Sequence, residues 1–253
     1  MIEILPLTGL PEVRPGDDLA ALLSGAMAGL PGGPRTTDIL VVTQKIVSKA
    51  ENLFVDLADI EPDDEARALA EKTRKDPRLV ALILRESTTV VRAIPGVLIT
   101  RHHSGCVMAN SGIDQSNLGP GEDDRVLLLP RDPDDAALRL RASLMRYALG
   151  ARAPAVIISD SFGRPWRVGV TNVAIGAAGF PALVDRRGEP DRGGRPMAVT
   201  QIALADLAAA AAGLVMGEAD EGVPAAVIRG LAWSGAPRPA TDLIRPEAED
   251  LFR

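Results

Sequence analysis

Short aliphatic runs alternate along this chain with stretches of helical spacing, and glycine or proline marks most of the joins. Residues 2–7 alternate weakly and stop at Gly9-Leu10-Pro11, which predicts a strand entering a turn. After Pro15-Gly16, Asp17 or Asp18 is placed to cap a helix with Leu19, Leu22, Leu23 and Met27 on one side, and Pro31-Gly32-Gly33-Pro34 ends it. The run 38–43, Asp-Ile-Leu-Val-Val-Thr, is too short for a free helix and rich in β-branched residues, so it predicts a buried strand leading into Gln44 to Lys49.

From Pro62 to Glu86 the spacing is helical, and Pro77 divides the stretch into two helices. Strands are predicted at 88–94, 97–101 and 125–129, with a loop from 104 to 121 between the last two. Asp132-Pro133-Asp134-Asp135 carries the cap, first-turn proline and early carboxylates of a helix that continues from Ala136 to Leu149. The strand 155–159 then delivers Asp160 to a loop. Residues 169–194 read as glycine-rich turns around short apolar runs, followed by a helix from Thr200 to Met216 and a strand at 224–228. Strands at 88–101 and 125–129 without helices between them favour α+β over a regular doubly wound sheet.

Length and composition narrow the function. The 253 residues suit one large domain or two small lobes sharing a core. A formal charge of −6 argues against a nucleic-acid binder, which needs a basic face to displace counterions. The single cysteine, Cys106, excludes an intramolecular disulfide and fits a reducing, cytoplasmic setting as a small core filler. The N-terminus lacks the basic and apolar regions of a signal peptide, and Leu207 to Met216 is too short to span a membrane.

Phosphate-cradling loops of the P-loop type, dinucleotide fingerprints and His-Glu-x-x-His are absent. His102 and His103, as neighbours on a strand, point to opposite faces and cannot share one ion without distortion. Three polar clusters remain. Asn110 to Asn117 is either a solvated turn or a site in which Asp114 is a hard ligand for Mg2+ or Mn2+ and Asn117 contacts a phosphate or base. Ser159 to Arg167 places Asp160 and Ser161 after an apolar strand, followed by Arg164 and Arg167, which suits a metal and an anionic substrate or, alternatively, surface ion pairs. In Met216 to Glu221, acids at a helix C-terminus oppose the macrodipole, so Glu218 is either a ligand or plainly solvated. Lys45 and Lys49, four apart, share a face and either reach phosphates together or stand as surface lysines.

In order along the chain, Gly9-Leu10-Pro11-Glu12-Val13, Val42-Thr43-Gln44-Lys45-Ile46-Val47-Ser48-Lys49, Gly112-Ile113-Asp114-Gln115-Ser116-Asn117, Asp160-Ser161-Phe162-Gly163-Arg164-Pro165-Trp166-Arg167 and Leu214-Val215-Met216-Gly217-Glu218 resemble the coenzyme F420-0:L-glutamate ligase family, also called F420-0 γ-glutamyl ligases. The resemblance covers essentially all of residues 1–253 as a single domain of two intertwined lobes. It implies an α+β fold with mixed and antiparallel sheets, shared across a homodimer. It also implies a cytoplasmic, GTP-dependent ligase of F420 biosynthesis that joins L-glutamate to the phospholactyl carboxylate of F420-0 through an acyl phosphate, with further γ-linked glutamates as an extension.

By the same resemblance, Leu10, Pro11, Glu12, Val13, Gln44, Lys49 and Asn117 hold GTP. Asp114 and Asp160 bind a first divalent cation, Mg2+ or Mn2+, and Ser161 and Glu218 a second, with K+ a candidate monovalent ion. Arg164 and Arg167 are candidates to grip a substrate carboxylate or phosphate. Some relatives continue into a flavin-binding, nitroreductase-like domain, and this sequence has no such extension, so that second activity is expected to be absent. The competing readings are another metal-dependent, NTP-using carboxylate–amine ligase on the same scaffold, and a non-catalytic deazaflavin or nucleotide carrier.

Overall fold

In a computed structural model, which describes residues 1–116, 124–147 and 153–250, the aliphatic runs assemble into a mixed sheet of five strands. Its order is β1 (Glu3–Pro6), β12 (Ala225–Arg229), β2 (Ile39–Thr43), β8 (Ala155–Arg164) and β9 (Arg167–Ala178). Only β2 and β8 run parallel, from Ile39 beside Ala155 to Thr43 beside Ser159. Alternate residues serve two cores. Leu40, Val42, Val156 and Ile158 turn to α1 (Leu19–Ala28), α2 (Gln44–Ala50) and α5 (Pro133–Leu144), whereas Ile39, Val41, Ile157 and Ile228 turn to α6 (Leu204–Met216). Cover on both faces is why these strands read as unbroken aliphatic runs. Buried Ala205, Ala208, Ala209 and Ala212 let α6 lie close to the sheet, and Leu207 and Leu214 stay outside.

A further hydrophobic core is built by the chain between α2 and α5. Helices α3 (Asp64–Thr73) and α4 (Pro77–Arg85) pack around Leu79, Ile83, Leu98 and Val126 with an antiparallel sheet of β4 (Ser87–Ile94), β5 (Val97–His102) and β6 (Val107–Ala109) and with the pair β3 (Phe54–Asp56) and β7 (Arg125–Leu127). A separate ribbon joins β10 (Leu183–Asp185) to β11 (Gln201–Ala203). The architecture is α+β, as the order of elements predicts. No helix among the described residues is long and apolar enough to cross a membrane.

Helix starts follow the sequence signals closely. The carboxylates of Asp18, Asp63, Asp76 and Asp132 each accept a first-turn backbone N–H, and Pro77 and Pro133 occupy first-turn positions where no amide donor is needed.

Four expectations are corrected. Asp160 is not in a loop: β8 continues through it to Arg164, and the glycine-rich start of 169–194 is the return strand β9 of one long hairpin. Residues 201–203 are strand rather than helix, because they pair with β10. The loop from 104 to 121 contains β6, held by β5. The strand at Phe54–Asp56 was not anticipated. The predicted end of the fifth helix, residues 148–149, lies outside the described residues, whose α5 stops at Leu144.

A bulge interrupts the hairpin. Ile158 faces Gly176 but Ser159 faces Ala174, so β9 carries one extra residue, Ile175, between them. Gly176 is required there, since a Cβ would strike the Pro133 carbonyl. Nearby, the buried Asp134 carboxylate accepts from the backbone N–H groups of Ala177, Ala240 and Thr241 at 2.8, 2.7 and 3.1 Å, fastening the C-terminal turns to β9 and α5.

Candidate active site

Because β2 and β8 are parallel, both bring their C-terminal ends to the same edge of the sheet, which is where ligands settle in open sheets of this kind. A cleft of about 1130 Å3 opens at that edge. The β1–α1 loop contributes Leu10, Pro11, Glu12 and Val13; the start of α2 contributes Gln44, Lys45 and Lys49; the turn after β6 contributes Asn110 and Asp114. The hairpin adds Asp160, Ser161 and Arg164, and the segment after α6 adds Glu218. Of the residues expected in a site, Arg167 is not among the lining: it is exposed at the hairpin tip, paired across the turn with Arg164. Asn117 lies outside the described residues.

The lysines are not free surface groups. Lys45 Nζ lies 2.8 Å from Asp114 Oδ2 and donates to both the carbonyl and the hydroxyl of Ser116 at 3.1 Å. Lys49 is buried and forms an ion pair with Glu12. Gln44 is buried too, its Oε1 accepting from Ser48 Oγ at 3.1 Å. Asp114 is fixed at both ends. Its backbone exchanges two hydrogen bonds with Leu127, and its Oδ1 accepts from Ser116 N and Oγ, each at 2.7 Å.

Asp160 carries the strongest electrostatic signal. Burial beneath the cleft walls pushes its carboxyl up to about 7, helped by the negative charges of Asp114 and Glu218 and opposed by the Ser161 N–H, 2.9 Å from Oδ1, and by Lys45. Glu218 follows the left-handed Gly217 at the end of α6, and its Oε1 accepts from Asn172 Nδ2 at 2.7 Å. Asn172 faces Ser161 across the hairpin. Asn172 is a lining residue that sequence reasoning missed, its usable signal being the polar pair Thr171-Asn172 between apolar positions; Asn110 lay in a cluster the sequence singled out, without a role of its own.

Among the described residues six carboxylates line the cleft (Glu12, Asp114, Asp160, Glu218, Asp220 and Glu221) against three cations (Lys45, Lys49 and Arg164). An anion entering this surface needs added positive charge, and a carboxyl raised chiefly by burial, as that of Asp160 is, is one that a nearby cation would ionise. Among the described residues no three His, Cys, Asp or Glu side chains close on one point as a ready cage. Carboxylate oxygens are hard donors, of the kind that divalent ions take one or two at a time while completing their shell with ligand oxygens and water. The histidines stand apart from this cleft. His102, the last residue of β5, is buried, bonded to Ser104 and lowered to about 4 by burial, while His103 is exposed in the turn that follows the strand rather than on the strand itself. Burial also raises the thiol of Cys106, which packs against the main core.

Comparison with known proteins gives a consistent result. Residues 9–230 match the family model described as F420-0:Gamma-glutamyl ligase. The Coenzyme F420:L-glutamate ligase of Methanopyrus kandleri is 48% identical over 257 aligned positions, covering 100% of this chain and 97% of the relative. The protein of the same name from Methanothermobacter thermautotrophicus is 44% identical over 257 positions, covering 100% and 99%. That from Methanocaldococcus jannaschii is 43% identical over 216 positions, covering 85% and 84%.

Proposed function

Since the chain belongs to the F420-0:gamma-glutamyl ligase family, we propose that it joins L-glutamate through its α-amine to the phospholactyl carboxylate of coenzyme F420-0, with GTP as phosphoryl donor and γ-linked additions as an extension. The observation that carries this reading is the acidic cleft, with Asp114, Asp160 and Glu218 coupled electrostatically at the end of a parallel strand pair.

A carboxylate and an ammonium do not condense unaided in water. In the proposed route an oxygen of the acceptor carboxylate attacks the γ-phosphorus of GTP and GDP leaves. The amine nitrogen, having lost a proton, then attacks the acyl carbon and phosphate departs. Asp114, Asp160, Ser161 and Glu218 would hold two divalent ions, Mg2+ or Mn2+, which when bound supply charge neutralisation between the phosphates and the attacking carboxylate. Leu10 to Val13, Gln44, Lys49 and Asn117 hold the nucleotide in this reading. The buried Lys49 is set as a point charge whose partner Glu12 keeps it oriented. Arg164 at the rim grips a substrate anion, with Arg167 across the turn extending the basic tip.

The test is incubation with GTP, Mg2+ or Mn2+, L-glutamate and F420-0, read by mass. One added glutamyl unit with GDP release is expected. GTP consumption without added mass would redirect the assignment to another carboxylate, and binding without GDP release would make the protein a carrier.

The homodimer belongs to the same proposal. β9 is the last strand of the main sheet, and the hairpin tip leaves Trp166 86% and Val168 101% exposed, an apolar edge suited to a second copy. Light scattering should give twice the chain mass, and Val168→Glu should shift it toward the single-chain mass; a parent protein already monomeric would remove this part of the reading.

A further inference from the structure

Between β6 and Asp114 the backbone makes a turn that ordinary residues avoid. Asn110, Ser111 and Gly112 all have positive φ, at 53°, 52° and 71°. The turn is fixed without help from the Asn110 side chain. The Ser111 hydroxyl is buried between the hydroxyls of Ser87 and Thr100, at 2.8 and 2.7 Å, and a Cβ on Gly112 would stand 2.5 Å from Leu129 Cδ1 and 2.7 Å from Met108 Sδ.

Asn110 itself lines the cleft, as Asp114 does, and its side-chain Oδ1 has no hydrogen-bond partner among the described residues. Because the enclosed Oδ1 has no such partner, the amide is not spent on holding the fold, and the residue stands half-buried at the cleft wall. An enclosed acceptor with no donor is costly, and glycine would relieve both that cost and the left-handed backbone. A polar side chain kept against two penalties, at the wall of a ligand cleft, has its compensation in the bound state.

We infer that Asn110 donates a hydrogen bond from its side-chain amide to an anionic oxygen of bound substrate. The inference rests on the proposed ligase reading, in which two such oxygens enter the cleft: a phosphate oxygen of the nucleotide and the carboxylate of the acceptor. A fixed neutral donor suits that task where carboxylates already crowd the wall, because it stabilises developing negative charge without adding a flexible cation.

The experiment compares the parent protein with Asn110→Gly and Asn110→Asp in unfolding, glutamyl addition and separate titrations with GTP and F420-0. For Asn110→Gly the unfolding midpoint should stay within about 3 °C of the parent or rise, while kcat/KM falls about 100-fold. The accompanying rise in KM, for GTP or for F420-0, identifies which oxygen is held. Asn110→Asp, which keeps the shape and replaces the donor edge by a negative charge, should lose at least as much. Activity of the glycine variant within threefold of the parent, parent-like activity of the aspartate variant, or a loss proportional only to the fraction folded would each overturn the inference. If the parent adds no glutamyl unit, the ligase reading fails on its own, and the titrations still decide this point: binding of GTP or F420-0 weakened at least tenfold in the glycine variant sustains it, and unchanged binding of both removes it.

Discussion

Asp160→Asn is expected to abolish glutamyl addition, a loss of about 1000-fold or more, because the substitution keeps the shape of the side chain and removes the charge that, in the proposed reading, the site uses when phosphates enter. The same substitution should make the ligand-free protein harder to unfold at neutral and alkaline pH. In the folded chain the Asp160 carboxyl titrates at about 7, against 3.8 for an ordinary aspartate. A raised folded value means that protonation favours the native state. That stabilisation is complete below pH 4 and is lost as the pH climbs through 7, where the enclosed carboxylate must ionise. Allowing for water in the cleft, the differential is on the order of 2 kcal/mol. Urea unfolding of parent and variant should therefore coincide near pH 4 and separate above pH 7, with the variant more stable. A parent that is the more stable of the two at pH 8, or a variant that still forms product, contradicts this account. Added Mg2+ or Mn2+ should raise the unfolding midpoint of the parent far more than that of the variant.

Arg229→Ala should be the most damaging change away from the cleft. Arg229 on β12 is 3% exposed and Asp38, just before β2, is 0% exposed. The guanidinium meets both carboxylate oxygens, Nε to Oδ1 at 2.9 Å and Nη2 to Oδ2 at 2.7 Å, and its remaining donors reach the carbonyls of Pro31 and Gly33 at 2.7 Å each. Asp38 also accepts from Arg35 N at 2.8 Å. Truncating the arginine leaves a carboxylate enclosed without its cation and two carbonyls without donors, a cost of about 3–5 kcal/mol or loss of the folded state. Chemical denaturation, or the soluble yield if the variant does not fold, measures it. A cost below about 1 kcal/mol would show that the pair is replaceable by water.

Much of this fold is legible in the sequence where the cause is local. Asp-Pro at 76–77 and 132–133 fixes two helix starts by cap and ring chemistry, and the runs at 39–43 and 155–158 are aliphatic on both faces because each face has its own core. The β8–β9 hairpin was not legible, because glycine at 163, 169 and 176 reads as punctuation. At Gly176 the residue answers instead to the Pro133 carbonyl of a distant helix start, a constraint that local pattern cannot carry. The same holds for the site. Asp114, Asp160 and Glu218 could be picked as chemistry-bearing residues, but their convergence depends on strand pairing. The contacts that orient them, Lys45 on Asp114 and Asn172 on Glu218, join residues 69 and 46 positions apart.

Ile175, the bulged residue between Ala174 and Gly176, sets which side chain meets Ser161. If Ile175 took a paired place opposite Ser159, Val173 would face Ser161; because Ile175 is bulged out, the place goes to Asn172, the group that holds Glu218. The stretch from 159 to 176 should therefore accept changes of residue type far more readily than changes of length. Among descendants of this chain, loss of a single codon at 159, 160, 173 or 174 would move Asn172 away from Ser161 while leaving a sheet of ordinary appearance.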